Sequence, residues 1–419
     1  MPVGAFLEPA IIVSLLTGGT LVNRDKSRTH VTSSSRRPPP WQDLEYATGG
    51  DSPVGGTEDD KELVSRSSST STIWHETSDV NTALPSSRWR ERKLKFFGWE
   101  HTVTTPNTEV HKDRFLSRVL QRYPFLVEVW YWALIYWVYQ LGRAFTAVTL
   151  KATTVDTARE HALQVVHVEK WLGIFVEPAI QQWFLGHPEL MRWTNRAYSF
   201  IHIPGTILYL IILFYMTTTR PKRRLFEQSQ PGSAALRHWR TLIGPFGPEI
   251  YEKRRRTMAM CNLLAFIVFT FWPCMPPRLL SAPDYTGEHA KEAKSYGFVD
   301  TVHSKDGDSS VWTTNRFCNQ YAAMPSLHFG YSFLIGLTVA TVPLRKSGYM
   351  GWRRLAIVAT GMLYPFIILT AIVATANHFV LDAVAGAIAC ILAWYLNSGL
   401  LNLLPIEDHF LNVLRLHKP

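Results

Sequence analysis

The sequence predicts an all-α membrane protein, a polytopic helical bundle with about six core transmembrane helices and a possible further span at the N-terminus. Three observations support this prediction. Apolar runs of about 20 residues, the length that crosses the hydrocarbon core of a bilayer, recur between residues 124 and 405. Tryptophan and tyrosine cluster near several ends of these runs. Lysine and arginine are concentrated in loops between them, as is typical of membrane proteins.

The N-terminal segment, residues 1–22, is expected to be a transmembrane or anchor segment. Its apolar run contains Glu8 and Pro9 and lacks the basic start of a secretory signal peptide. Three basic residues follow directly at positions 24–28, which favours a span whose N-terminus lies outside the cytoplasm.

Residues 23–120 are expected to form a disordered, basic cytoplasmic region rich in serine and proline. They show no helical or strand period and contain too few apolar residues to build a core. Within them, RWRERKLKFF (88–97) combines basic and aromatic residues, and we expect it to lie on anionic lipid headgroups. Residues 406–419 are expected to be a cytoplasmic tail.

Residues 124–405 are expected to form one transmembrane domain, which carries the motifs described below. The predicted spans lie at 124–148, 196–216, 257–275, 325–344, 354–376 and 379–398. The segment 158–195 is amphipathic, and we interpret it as a helix in the membrane interface. Its apolar residues fall near one face and its glutamates elsewhere: Trp171, Phe175 and Ile180 against Glu169 and Glu177.

The basic residues of the loops predict the orientation. Residues 217–256 carry ten lysines and arginines, and residues 345–354 carry four, so both loops are expected to be cytoplasmic. Residues 274–325 and the turn 376–379 then lie on the opposite side. The net charge of +10 is explained by these loops, which are expected to contact anionic lipid surfaces, and no nucleic-acid partner is expected.

A His–Asp pair opens the last predicted span. In ATANHFVLDAVAG (374–386), the i, i+4 spacing of His378 and Asp382 places both side chains on one helix face. A carboxylate at membrane depth is costly without a partner, so a functional pair is expected. A carboxylate bonded to one imidazole nitrogen fixes the tautomer and makes the other nitrogen a better nucleophile or base. The alternative is a pair that only joins helices.

The segment YAAMPSLHFGYSF (321–333) contributes a hydroxyl group and a second histidine. Pro325 suits the first position of a helix, which would put Ser326 and His328 in the first turn. Free backbone N–H groups in a first turn attract an anion. We interpret the segment as a phosphate site with a general acid; the alternative is a plain helix cap followed by an interfacial histidine.

Arg278, in the Pro-rich exit FWPCMPPRLL (271–280), adds a cation on the same side. Arginine binds phosphate in a forked geometry, although an interfacial arginine can also simply snorkel. Attack by His378 on phosphorus would give a phosphohistidine, and His328 would protonate the leaving oxygen. Arg278 and Ser326 would hold the charge of the phosphoryl oxygens. No convergent carboxylate cluster is visible, so neither a metal nor another cofactor is expected.

These motifs resemble a known family. P-S-L-H (325–328) and H-x-x-x-D (378–382) resemble the second and third motifs of the type 2 phosphatidic acid phosphatase superfamily. The P-S-L-H form, NHFVLDAVAG, PPRLL and YSFIHIP (198–204) are similar to the inositolphosphotransferase-like branch, which contains fungal inositol phosphorylceramide synthase. The resemblance covers roughly 125–400.

The resemblance implies a bundle with six core spans and a metal-independent phosphohistidine mechanism on a phospholipid or sphingolipid. Carried over, His378 is the nucleophile, Asp382 its orienting partner, His328 the general acid and Ser326 a phosphate contact. The resemblance also implies a lumenal site in an endomembrane such as the Golgi or the endoplasmic reticulum. The acceptor is left open between water and an alcohol such as inositol or ceramide.

Two cationic positions of the family motifs are occupied differently here. Phe271 stands where the first motif has lysine, and Leu279 follows Arg278 in place of proline. Ala371 and Ile372 stand where the third motif begins with Ser-Arg. These departures favour the inositolphosphotransferase-like branch, and they also favour the alternative of a non-catalytic relative that binds lipid phosphate.

Further polar residues are candidates for the same cavity, although each is more often structural: Glu169, His202, Asp300 and His303. Arg316 could supply a missing cation, and Cys274 and Cys318 could pair in an oxidising lumen. A transporter is the remaining alternative, because intramembrane His and Asp also line ion paths. The concentration of polar residues at one face argues against it.

Overall fold

The computed structural model describes residues 4–25, 88–96, 98–149, 152–223, 247–283, 285–301, 320–342 and 351–419. The helices in chain order are α1 (Gly4–Val22), α2 (Phe115–Arg122), α3 (Phe125–Thr149), α4 (Ala152–Leu172), α5 (Glu177–Leu185), α6 (Pro188–Arg196), α7 (His202–Phe214), α8 (Pro248–Phe271), α9 (Pro277–Leu280), α10 (Ala290–Ser295), α11 (Leu327–Ala340), α12 (Trp352–Ala374), α13 (Val380–Leu396) and α14 (Leu404–Val413). The strands are β1 (Trp89–Phe96) and β2 (Trp99–Pro106). Short 3₁₀ turns occupy Thr108–His111 and Asn397–Leu403, and π-helical turns occupy Ala197–Ile201 and Tyr215–Thr219.

Each apolar run predicted to span the membrane is helical. Three helices among the described residues are long and apolar enough to cross a membrane: Pro188–Arg223, which joins α6 and α7 through a π turn, Trp352–Ala374, and Val380–Val413. Two further apolar helices, Pro9–Val22 and α11, are shorter. The membrane-helix character is thus confirmed, whereas the number of six core spans stays a prediction.

A β-hairpin corrects the expectation that the fold is purely helical and that residues 23–120 are disordered throughout. Strands β1 and β2 pair antiparallel from Trp89↔Pro106 to Phe96↔Trp99, and Gly98 turns the chain with φ +86°. A positive φ of this kind is easily adopted only by glycine. Residues 26–87 lie outside the described residues.

The hairpin is held by the C-terminal residues, in contacts that we call the hairpin junction. The Arg92 guanidinium pairs with Asp408 at 2.8 Å, and the Thr105 hydroxyl donates to the same carboxylate at 2.8 Å. Asn402 exchanges two 2.9 Å hydrogen bonds with the backbone of Lys95. The predicted tail 406–419 therefore begins as a helix packed on the hairpin. The polar inner strand face is stable because its partners are supplied from more than 300 residues along the chain.

Close helix crossings bring the two histidine motifs together. A methyl group at Gly386 on α13 would collide with the carbonyl oxygen of Ser326, and one at Gly330 on α11 would lie 3.1 Å from the carbonyl oxygen of Gly386. The backbone N–H of Ser326 donates to the carbonyl of Asp382 at 2.9 Å. The start of α11 and the start of α13 are therefore in direct main-chain contact.

Candidate active site

A cavity of about 640 Å³ contains the predicted histidines and Arg278. Most of its wall is apolar and aromatic and comes from α1, α3, α7 and α8. Its polar lining residues include Ser199, His202, Arg278, His328, Asn377 and His378. We call this cavity the histidine pocket. It combines a long apolar wall with a small polar group, an arrangement typical of sites for amphipathic ligands.

His378 lies in the tight turn between α12 and α13. Ala376 in this turn has φ +51°, a left-handed conformation that is uncommon for a residue with a side chain. The Ala376 carbonyl accepts the backbone N–H of Arg278 at 2.8 Å, which holds the turn. The turn places the imidazole at the pocket wall, where it is only 6% exposed.

The tautomer of His378 is determined by a backbone carbonyl. Its Nδ1 lies 2.8 Å from the carbonyl oxygen of Ala323. A carbonyl can only accept, so this hydrogen bond requires the proton on Nδ1 and leaves Nε2 as the basic nitrogen. The carbonyl is itself held, because the N–H of Ala323 donates to the carbonyl of Cys274 at 3.0 Å.

Asp382 lies beside the ring but is not its nearest partner. Its Oδ2 is 3.4 Å from Nδ1 of His378, and the same oxygen accepts the backbone N–H of Phe379 at 2.9 Å. Its Oδ1 is buried without a hydrogen-bond partner among the described residues. Asp382 thus caps α13 and places a carboxyl group next to the imidazole, while Nδ1 of His378 donates its shorter hydrogen bond to the Ala323 carbonyl.

Ser326 and His328 are separated by the start of α11. The helix was expected to begin at Pro325, but Ser326 is the N-cap and Leu327 the first helical residue. The Ser326 hydroxyl accepts the N–H of Phe329 at 3.4 Å, and the residue is fully buried and not among those that line the pocket. The observed role of Ser326 is therefore helix capping, and its contact with phosphate stays a prediction.

His328 contacts three rings in the pocket. Its ring centroid lies 5.8 Å from that of His378, 4.9 Å from that of His202 and 4.6 Å from that of Tyr198, on which it stacks. Nδ1 of His202 lies 3.0 Å from the hydroxyl of Tyr364. The two predicted histidines are thus neighbours, as the motif analysis requires, and His202 extends them into a group of three.

Arg278 is held in place at the pocket wall. Its Nε donates to Oδ1 of Asn377 at 2.8 Å, and its Nη1 lies 3.4 Å from Oδ2 of Asp300. Arg255 also lines the pocket, but it is paired with Glu128 at 2.7 Å. Arg278 is therefore the cation of the pocket wall whose own backbone is bonded to the His378 turn.

The positions at which the family motifs differ from this chain lie in two kinds of environment. Ala371 and Ile372 are buried in a core cluster of α12, and Phe271 is 83% exposed at the end of α8. His303, Arg316 and Cys318 lie outside the described residues. Cys274 is a free, fully buried thiol, so a bond to Cys318 gains no support.

Glu169 and Glu177 differ most from the sequence-based expectation. Residues 158–195 form α4, α5 and α6 rather than one interfacial helix, and both glutamates are fully buried while Trp171 is 83% exposed. The glutamates accept backbone N–H groups at the start of α13, which explains why they are inside. They do not line the pocket, whereas His202 does.

Sequence reasoning missed Asn377, Tyr198 and Tyr364. Asn377 directly precedes His378, so its place beside the site could have been predicted from its position in the sequence. Tyr198 and Ser199 lie in the π-helical turn Ala197–Ile201, a feature frequent at functional sites that residue types do not reveal. Among the described residues, no group of three or more His, Cys, Asp or Glu side chains is placed to hold a metal ion.

Comparison with protein-family models gives a match to the one described as the PAP2 superfamily. It covers residues 163–227 and 243–396, together more than half of the chain. The matched residues include His202, Arg278, Ser326, His328 and the His378–Asp382 pair. No curated protein and no solved structure matches the chain.

Proposed function

Because the chain belongs to the PAP2 superfamily, we propose that it is a membrane-embedded lipid phosphatase or phosphotransferase that works through a phosphohistidine at His378. The observation that carries the proposal is the 2.8 Å contact between Nδ1 of His378 and the Ala323 carbonyl. It leaves Nε2 unprotonated, which is the state that a nucleophile requires. The neighbouring Asp382 carboxylate stabilises the positive charge that the ring gains on attack.

The proposed reaction has two displacement steps. Nε2 of His378 attacks phosphorus, the bond from phosphorus to the leaving oxygen breaks, and His328 gives that oxygen its proton. In the second step an acceptor hydroxyl attacks the phosphohistidine, His328 takes up the hydroxyl proton, and the P–N bond breaks. Arg278 offsets the negative charge of the phosphoryl oxygens in both steps, and Ser326 is proposed as a further phosphate contact.

We propose a metal-independent reaction on a phospholipid or sphingolipid, with the apolar pocket wall receiving acyl chains. Inositol phosphate transfer to a ceramide-like lipid is the finer proposal, supported by the P-S-L-H form of the second motif and by Phe271 and Ile372 in place of two family cations. The loop charges support a site on the non-cytoplasmic face of the membrane. The resemblance to the inositolphosphotransferase-like branch supports an endomembrane as its location.

The test is turnover by purified protein in detergent, with phosphatidic acid and with phosphatidylinositol plus ceramide, in the presence of chelator. We expect phosphate release or headgroup transfer that His378→Ala lowers by at least about 10³-fold, together with loss of the acid-labile phosphoenzyme. The matched control is His289→Ala, because His289 is exposed and outside the pocket.

Two results would contradict the proposal. Turnover that survives in His378→Ala would remove this imidazole as the nucleophile. Absence of turnover with every substrate, from protein whose folding is verified by a sharp thermal transition, would favour the non-catalytic relative that binds lipid phosphate.

A further inference from the structure

The start of α13 is held by two glutamates from helices outside the predicted spans. Oε1 of Glu177 accepts the backbone N–H of Val380 at 2.8 Å, and Oε1 of Glu169 accepts that of Leu381 at 2.8 Å. Free N–H groups of a first helical turn otherwise need water or a cap. These two N–H groups follow His378 by two and three residues, so the glutamates determine where the turn that carries His378 can lie.

The two carboxyl groups lie beside each other, because they accept the N–H groups of adjacent residues. Both residues have no exposed surface, and Oε2 of each is buried without a hydrogen-bond partner among the described residues. Two ionised carboxylates side by side in such a site repel, whereas one shared proton converts the contact into a hydrogen bond. Burial, and then the hydrogen bond and charge of Glu177, raise the pKa of Glu169 to about 9, against an ordinary value of 4.5.

The other titratable groups that face Glu169 do not favour its ionisation. Asp382 on α13 adds negative charge, and the thiol of Cys274, ahead of α9, is neutral when protonated. The nearest cation in the chain, Lys170, is directed to the hydroxyl and ring of Tyr296 instead. Within the part of the chain that the structure describes, none of the groups that act on Glu169 supplies a positive charge to replace the shared proton.

We propose that Glu169 and Glu177 are positioning residues that share one proton, hold the first turn of α13 and so fix the imidazole of His378 for reaction. Loss of the proton sets two carboxylates against each other and releases the turn. The effect on turnover rests on the proposed function, whereas the effect on the fold does not.

The sign of the pH dependence follows from the raised pKa of Glu169. In the unfolded chain this carboxyl loses its proton above about pH 4.5, while the folded protein keeps it to about pH 9. The folded state therefore binds more protons over this range, and the contribution of the pair to stability decreases as the pH rises from about 4.5 to 9.

The test compares the full-length chain with Glu169→Gln and Glu169→Ala. Glutamine can accept the N–H of Leu381 and donate to Glu177, so it reproduces the protonated form and cannot ionise. Between pH 5 and 9 we expect the melting temperature of the wild type in detergent to fall, relative to Glu169→Gln, by on the order of 5 °C. Turnover of the wild type should decrease about fivefold between pH 7 and 9.5, and that of Glu169→Gln less than about twofold.

The alanine variant separates positioning from simple space filling. Glu169→Ala removes the acceptor of the Leu381 N–H, and we expect turnover about 10²-fold below wild type at pH 7. Glu189→Gln is the matched control, because that carboxylate is exposed on α6 and should leave both pH profiles at their wild-type shape.

Two outcomes would overturn the proposal: a glutamine variant with the same pH slope as the wild type, or one as impaired as the alanine variant. A wild-type chain without turnover would overturn the proposed function instead. The melting curves would then still decide whether the pair shares a proton.

Discussion

The histidine pocket and the hairpin junction both join segments far apart in the chain, but with different kinds of contact. In the pocket, the imidazole of His378 is bonded to a buried backbone carbonyl 55 residues away. At the junction, Arg92 is 26% exposed and pairs with a carboxylate 316 residues away. A buried hydrogen bond fixes an atom because water cannot replace it, whereas a part-exposed ion pair is screened by solvent. Long-range contacts therefore position the reacting groups in the first region, whereas in the second they only attach one element to the rest of the protein.

The largest effect should come from Arg278, the pocket cation bonded to the His378 turn. We expect Arg278→Ala to lower turnover by about 10³-fold and Arg278→Lys by about 10- to 100-fold, since lysine keeps the charge but loses the bond to Asn377 and the forked geometry. Steady-state turnover on the productive lipid measures both. Arg192→Lys, an exposed arginine on α6, is the control. Equal activity of the lysine variant and the wild type would show that only charge matters at this position.

An intermediate effect is expected for Ser326, which caps α11 without lining the pocket and is proposed as a further phosphate contact. Ser326→Ala should lower the free energy of unfolding by about 1 kcal/mol and turnover by less than about tenfold. Thermal denaturation and turnover of the same sample separate the two quantities. Ser332→Ala, a buried hydroxyl bonded to the carbonyl of Phe329, is the control. A loss of turnover as large as that of Arg278→Ala would show that the Ser326 hydroxyl contributes more to phosphate binding than to helix capping.

The smallest effect is expected at the hairpin junction. Arg92→Ala should cost only about 0.5 kcal/mol, because the guanidinium is part-exposed, and turnover should stay within about twofold. Hydrogen exchange of β1 and β2, measured at low and high salt, would report the loosened hairpin. A tenfold loss of turnover would break the comparison, since it would mean that the junction also controls the pocket.

Prediction from the sequence succeeded where a property is local. Apolar length identified the helices, and the spacing of His378 and Asp382 placed them at one helix start because three to four residues make one turn. The Ala323 carbonyl could not be found this way, since every residue carries a carbonyl and only the fold selects one. The same holds for the carboxyls of Glu169 and Glu177, whose partners are backbone N–H groups more than 200 residues away.

The hairpin could not be predicted from the sequence for a related reason. Its alternating residues are mostly polar, so no apolar face marks a strand in WRERKLKF. The buried side of the strands is defined by Asp408 and Asn402, which lie near the other end of the chain. Low apolar content indicates disorder only when no such partner exists elsewhere in the protein.

The N-terminal helix α1 contributes Ile12 and Leu16 to the wall of the histidine pocket, although it lies well before the first residue of the family match. The histidines of the matched region therefore lie in a pocket whose wall is partly built by residues outside that region. Residues of α1 can change the width and outline of that pocket without altering any group that is proposed to bind phosphate. A tag or truncation at the N-terminus can for this reason alter the shape of the pocket. Both should be avoided in preparations meant for substrate profiling.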